Sequence, residues 1–201
     1  MITITNKYNT AVVYSDSIDS GAEGLLRALC ASPLAEGSQI RIMPDVHAGK
    51  GCAVGTTMTI GDYAAPGLVG VDIGCGILAC KVGRRRPELA KLDKLIQECV
   101  PSGRNIRNMP HRLAAQVGLE ELRCAKHIQH NKALRSIGSL GGGNHFIELD
   151  RDAEGCFWLL IHSGSRHLGV EVAGYYQDAA FRQCPPGTPY ELAYASGGLL
   201  L

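Results

Sequence analysis

The chain has 201 residues, 45% hydrophobic and 19% charged, with a formal net charge of +1. That length buries a substantial core, and that composition excludes an intrinsically disordered chain. The balanced charge excludes a global basic field of the kind that alone marks a nucleic-acid binder, although Arg84-Arg-Arg86 and Arg104-Asn-Ile-Arg107 are local basic clusters.

In chain order, residues 1–14 read as two short strands around a turn at Asn6-Lys7. Ser20 to Ala31 reads as a helix with Leu25, Leu26 and Leu29 on one face. Gln39 to Met43 reads as a strand ending at Pro44. Cys52 to Ile60, Leu68 to Ile73 and Gly76 to Val82 are strand-like. Pro87 stands at a first-turn position and opens a helix carrying Leu89, Leu92, Leu95, Ile96 and Cys99, which Pro101 stops.

The Ala-, Leu-, Glu- and Lys-rich stretch from His111 to His130 predicts a longer helix. Asn144 to Leu149 and Cys156 to His162 predict a hairpin of buried strands that turns near Asp150–Gly155. Val170 to Cys184 predicts a last helix, followed by a break at Pro185-Pro-Gly-Thr-Pro189. Tyr190 to Ala195 starts like a helix. Ser196-Gly-Gly-Leu-Leu-Leu201 then reads as a truncation or frame change, because three apolar residues end a soluble domain poorly. The elements together predict an α+β (mixed α/β) fold with mostly antiparallel strands.

The eight cysteines are irregularly spaced and form no CxxC pair. The N-terminus lacks a signal-peptide core, and no apolar run has the length of a membrane span. The expected setting is therefore cytoplasmic, with reduced thiols and no membrane partner.

Chemistry concentrates in Gly-rich segments. Val69-Gly-Val-Asp-Ile-Gly-Cys-Gly76 offers Asp72 and Cys75. Gly138-Ser-Leu-Gly-Gly-Gly-Asn-His-Phe-Ile-Glu148 offers Asn144 and His145. Ile161-His-Ser-Gly-Ser-Arg166 offers His162 and Arg166. A thiolate, a carboxylate and two imidazoles suit a divalent transition ion better than calcium, which takes all-oxygen cages. A thiolate can also bridge two ions.

Asn144 is a candidate amide donor to phosphate. Backbone amides of Ser163-Gly-Ser-Arg166, with the Arg166 side chain, form a candidate anion site at a helix start. The glycine run is not a Walker loop, since no Lys-Ser/Thr follows it. Pro44-Asp-Val-His-Ala-Gly-Lys-Gly51 adds Asp45 and His47 as candidate ligands or proton carriers, and Lys50 as a phosphate contact. Each segment alone also has a structural reading: a turn Asp and a core Cys at 72 and 75, a core His at 145, an N-cap Ser with a surface Arg after His162.

Taken together, four segments resemble the RtcB family of RNA ligases: Met43-Pro-Asp-Val-His-Ala-Gly-Lys-Gly51, Val69–Gly76, Gly141-Gly-Gly-Asn-His-Phe-Ile-Glu148 and His162-Ser-Gly-Ser-Arg166. They occur in the family's order over residues 43–166. The opening Ile2-Thr-Ile-Thr is similar to the branch of that family associated with a release-factor-like protein.

The resemblance implies an RtcB-like fold. It implies joining of RNA 3′-phosphate or 2′,3′-cyclic phosphate ends to 5′-hydroxyl ends, as in RNA repair or tRNA splicing, with GTP and two manganese ions as cofactors. It implies that Cys75 bridges the ions, that Asp72 and His145 complete one of them, and that His162 ligates the other. Asn144 and Glu148 fall at nucleotide-site positions, and Lys50 and Arg166 at positions expected to touch RNA phosphate.

The family's chain is about twice this length, and its guanylylated histidine comes from the part with no counterpart here. Residues 1–201 are thus expected to be the N-terminal part of a single catalytic domain, and a second polypeptide is one source of the remainder. A non-catalytic metal- or RNA-binding module is the alternative.

Overall fold

The computed structural model describes residues 1–196 and divides the chain into two compact units, Met1–Val71 with the segment from Ala173, and Asp72–Val172. The fold is α+β, and most of its strand pairings are antiparallel.

In the first unit, β1 (Ile2–Thr5) and β2 (Thr10–Val13) form the expected hairpin. Helix α1 (Ser20–Cys30) follows. Its N-cap is Asp19, whose side chain accepts from the Ala22 amide at 2.9 Å and so satisfies one of the helix's orphan donors. Ala22, Leu26, Leu29 and Cys30 lie on its buried face, packed with Ile4, Val13, Ile40 and Ile42 of the sheet. Asp19→Ala should lower stability by about 0.5–2 kcal/mol, read by urea unfolding of the two proteins side by side.

Strand β3 (Ile40–Ala48) pairs parallel to β2 and antiparallel to β4 (Ala53–Met58), giving a sheet of order β1-β2-β3-β4. Contrary to the sequence expectation, β3 continues through Pro44. The register shifts between Ile42 and His47, and the proline lies in that irregular stretch, where its missing N–H breaks no regular ladder bond.

After β5 (Tyr63–Ala64), the expected strand from Leu68 to Ile73 is instead the short helix α2 (Pro66–Val69) followed by turns. Pro66 is preorganised for a first helical turn, and Gly70 ends it at φ 89°, a conformation few other residues adopt. Leu68 packs on the core while Val69 and Val71 stay exposed, so no strand face is buried here.

The second unit begins with Asp72 and holds β6 (Gly76–Gly83), which runs on to the expected helix α3 (Leu89–Cys99); its N-cap is Glu88, so Pro87 precedes the helix rather than standing in its first turn. Ile77 and Leu78 on β6 and Leu89 and Leu95 on α3 are exposed apolar residues. The long helix expected from His111 to His130 is absent. In its place are 3-10 turns at Arg112–Gln116, Leu119–Glu121 and Ala125–His127, and then α4 (His130–Ser136).

The physical reason is the spacing of the buried residues. Ala114, Leu119, Cys124 and Ile128 are spaced mostly five apart, whereas one helix face needs spacings of three and four. Strands β7 (Phe146–Arg151) and β8 (Phe157–Ser163) form the expected hairpin, half-buried rather than buried. Strand β8 is the centre of a three-stranded sheet of order β6-β8-β7.

Helix α5 (Arg166–Phe181) starts directly after this sheet, earlier than expected. Back in the first unit, Tyr190–Leu192 forms a 3-10 turn rather than the start of a longer helix, and β9 (Ala195–Ser196) pairs with β5. The expectation for the C-terminal end concerns residues 197–201, outside the described residues. Among the described residues no helix is long and apolar enough to cross a membrane.

Candidate metal centre

The three-stranded sheet explains why residues far apart in sequence meet. Both β6 and β7 run antiparallel to β8, so both of their N-termini lie at its C-terminal end. His162, near the end of β8, pairs with Ile77 on one side and Phe146 on the other. Cys75 immediately precedes β6, and His145 immediately precedes β7. One end of one sheet therefore carries a thiol and two imidazoles.

The donor atoms converge. Cys75 Sγ lies 3.3 Å from Asp72 Oδ2, 3.6 Å from His162 Nε2 and 4.0 Å from His145 Nε2. His145 Nε2 lies 3.2 Å from Asp72 Oδ2. The ligand atoms of Cys75, His145 and His162 all fall within 4.8 Å of one another. Donors bound to one first-row divalent ion at ~2.0–2.3 Å are separated by just such distances.

The tautomer also fits. His162 Nδ1 is 3.1 Å from the Gly76 carbonyl, to which it donates as N–H, leaving Nε2 with its lone pair toward Cys75. His145 is held closely, its side chain 7% exposed. Its Nδ1 faces Gly141, where an added Cβ would stand 1.5 Å away.

Electrostatics follow from this crowding. Burial pushes the Asp72 carboxyl upward, but hydrogen bonds from Cys75, Ser165 and His145 outweigh it and hold the group below the ordinary carboxylate value. Desolvation pushes the Cys75 thiol up, and the hydrogen bond to Asp72 and its charge push the same way. The thiol proton thus stays on sulfur, directed at Asp72 Oδ2, until a stronger electrophile displaces it.

Among the residues read from sequence, Asp72, Cys75, His145 and His162 are brought together. Asn144 is exposed in the turn just before His145, and Glu148 is exposed on β7 opposite Leu160. The Arg166 guanidinium donates to the Gly103 carbonyl at 2.6 Å and to Ser139 Oγ at 3.2 Å, so it fastens the Gly-rich loop that leads to His145. Lys50 belongs to the first unit, where it lines a pocket with Leu25, Ala28 and Tyr190. His47 is also there, its Nδ1 2.7 Å from the Asp45 carbonyl.

The sequence offered Ser165 only as part of the helix-start segment after His162, and Gly141 and Gly164 only as members of Gly-rich segments. Their only sequence signal is position: each lies within four residues of a candidate ligand, in a Gly-rich segment.

A thiol, a carboxylate and two imidazoles at the end of an antiparallel sheet define the class: an α+β protein with a donor set suited to a divalent transition ion. A family profile described as tRNA-splicing ligase RtcB matches residues 30–127 and 109–196. The chain belongs to the RtcB family.

RNA-splicing ligase RtcB of Escherichia coli (strain K12) is 33% identical over 165 residues, covering 72% of this chain and 40% of that protein. tRNA-splicing ligase RtcB of Methanococcus maripaludis is 28% identical over 186 residues, covering 67% of this chain and 39% of that protein. RNA-splicing ligase RtcB of Mycobacterium tuberculosis is 32% identical over 186 residues, with 65% and 43% covered. The chain spans about 40% of the length of the curated relatives it matches.

Proposed function

We propose that this chain carries the metal-binding part of a GTP- and manganese-dependent RNA ligase that joins 3′-phosphate or 2′,3′-cyclic phosphate ends to 5′-hydroxyl ends. The single observation that carries the reading is the convergence of Asp72, Cys75, His145 and His162 within one unit of a chain belonging to a family whose named members are RNA-splicing ligases. The names of the relatives support RNA as the substrate; GTP and two manganese ions remain part of the proposal.

Cys75 would be shared by two ions, with Asp72 and His145 on one and His162 on the other. When bound, divalent cations neutralise phosphate charge and align the reacting ends, which is most of what phosphoryl and nucleotidyl transfer requires. The chain's own residues do the rest of the positioning. His162 Nδ1–H, anchored to the Gly76 carbonyl, keeps its Nε2 directed at Cys75. Asn144, exposed beside His145, offers an amide to nucleotide phosphate, and Glu148 offers a carboxylate on the adjoining strand.

The direct test incubates the chain with manganese, GTP and a pair of RNAs ending in 3′-phosphate and 5′-hydroxyl, alone and with a polypeptide supplying the remaining family sequence. Joined RNA that disappears in Cys75→Ser supports the reading. Manganese retained by a chain that gives no joined RNA under either condition favours the alternative, a non-catalytic metal- or RNA-binding module. A chain that retains no manganese overturns the ligase reading and the metal-binding form of the alternative.

A further inference from the structure

The five residues His162-Ser-Gly-Ser-Arg166 do more than present one imidazole. Between the end of β8 and the start of α5, Ser165 donates twice to the same carboxylate oxygen, Asp72 Oδ1. Its backbone N–H lies at 3.1 Å and its hydroxyl at 3.2 Å. The other oxygen, Oδ2, is the one that meets Cys75 Sγ and His145 Nε2. Gly164 makes this approach possible, because a Cβ there would stand 2.2 Å from Oδ1 and 2.5 Å from Oδ2.

The next residue, Arg166, holds a left-handed backbone at φ 56°, which is uncommon for a residue with a side chain. Its guanidinium bonds to Gly103 and Ser139 brace that conformation.

A carboxylate turns easily about its last side-chain torsion, so its plane is unset unless partners hold one of its oxygens. Here two donors engage Oδ1, and a residue without a side chain clears the space. The geometry points to Ser165 as a positioning residue: by holding one oxygen it fixes the plane of the Asp72 carboxylate and leaves the other oxygen toward the cluster, and it ties the Asp72 loop to the end of β8, so that the carboxylate and His162 are set by one short segment. This rests on the reading of the cluster as a metal centre. Ser165 itself is no ligand; it acts through Asp72.

The test is a cobalt(II) titration, followed by visible absorption, of the full chain and its variants Ser165→Ala, Asp72→Ala, the double variant and Ser165→Thr. Outer-sphere partners of metal ligands typically carry ~10–100-fold in affinity. Ser165→Ala keeps the backbone donor, so a loss near ~10-fold is expected. Ser165→Thr, which keeps the hydroxyl, should retain near wild-type affinity.

In the Asp72→Ala background, Ser165→Ala should change nothing further, since the group it positions is gone. An equal loss in both backgrounds, or unaltered affinity in Ser165→Ala while Cys75→Ser loses binding, overturns the positioning role and leaves the metal centre standing. No cobalt bound by the wild type overturns the metal centre and the positioning role with it. Should Ser165→Ala not fold, Gly164→Ala pushes on the same carboxylate from the backbone side. Its wild-type affinity would likewise overturn the proposal.

Discussion

Cys75→Ser should lower manganese affinity by at least ~10–100-fold, the range seen when mere outer-sphere partners of a metal ligand are removed. Cys75 Sγ is the hub of the cluster, within 4.0 Å of Asp72 Oδ2, His145 Nε2 and His162 Nε2 alike. A thiol gives up its proton to a divalent ion near neutral pH, whereas a serine hydroxyl holds it, so the substitution removes a charged, polarizable donor at the point all the others share. If, as proposed, Cys75 is shared by two ions, both affinities should fall together, while Asp72→Ala should affect mainly one.

Cys52→Ser is the matched control. Cys52 belongs to the first unit, where its Sγ faces the Leu68 carbonyl at 4.0 Å, and its loss should leave manganese binding unchanged. Isothermal titration of the three variants with manganese decides the matter. Undiminished binding in Cys75→Ser would leave that residue as an ordinary small thiol and remove the main chemical support for the ligase reading.

Gly141→Ala is expected to weaken metal binding about as severely, at ~10-fold or more, without touching any donor atom. Gly141 is buried, and a Cβ built there would stand 1.5 Å from His145 Nδ1 and 2.7 Å from an Arg166 guanidinium nitrogen. Neither group can simply yield. His145 is enclosed, its side chain 7% exposed, and Arg166 is engaged by Gly103 and Ser139. The imidazole must turn or shift, and its Nε2 leaves the cluster.

Gly142→Ala is the informative comparison. The nearest atom to a Cβ there is Gly103 Cα, at 3.6 Å, an ordinary contact, so this neighbour should bind metal like the wild type. Equal affinity of both alanine variants and the wild type would show that His145 is not held where the structure has it.

The order of elements was largely legible in the sequence, and so were the residues whose donor atoms converge. Two short apolar runs on either side of the Asp150–Gly155 turn marked the β7–β8 hairpin, and Pro87, Pro101 and the leucine spacing marked α3. These signals are local, written within a few residues by propensity and period. The misreadings share a cause. From His111 to His130, helix-forming residues are plentiful, but those that become buried fall at non-helical intervals, so packing overrode propensity and the chain folded as short turns. From Leu68 to Ile73 an apolar run looked like a strand, yet no neighbouring strand pairs with it.

What the sequence determined by itself was the chemistry on offer: a thiol, a carboxylate and imidazoles in Gly-rich segments, arranged in the order of one family. What only the tertiary structure decided was their meeting. Cys75 and His162 are 87 residues apart, and they lie 3.6 Å from each other because β6 pairs with β8, a non-local choice that no local pattern encodes. The same pairing brings Ser165, just after β8, to Asp72, just before β6, while Gly141, in the loop before β7, lies where no side chain fits beside His145. Periodicity and composition act along the chain. Which strand edge meets which is settled by the shared burial of distant segments, and the geometry of the site follows from that settlement.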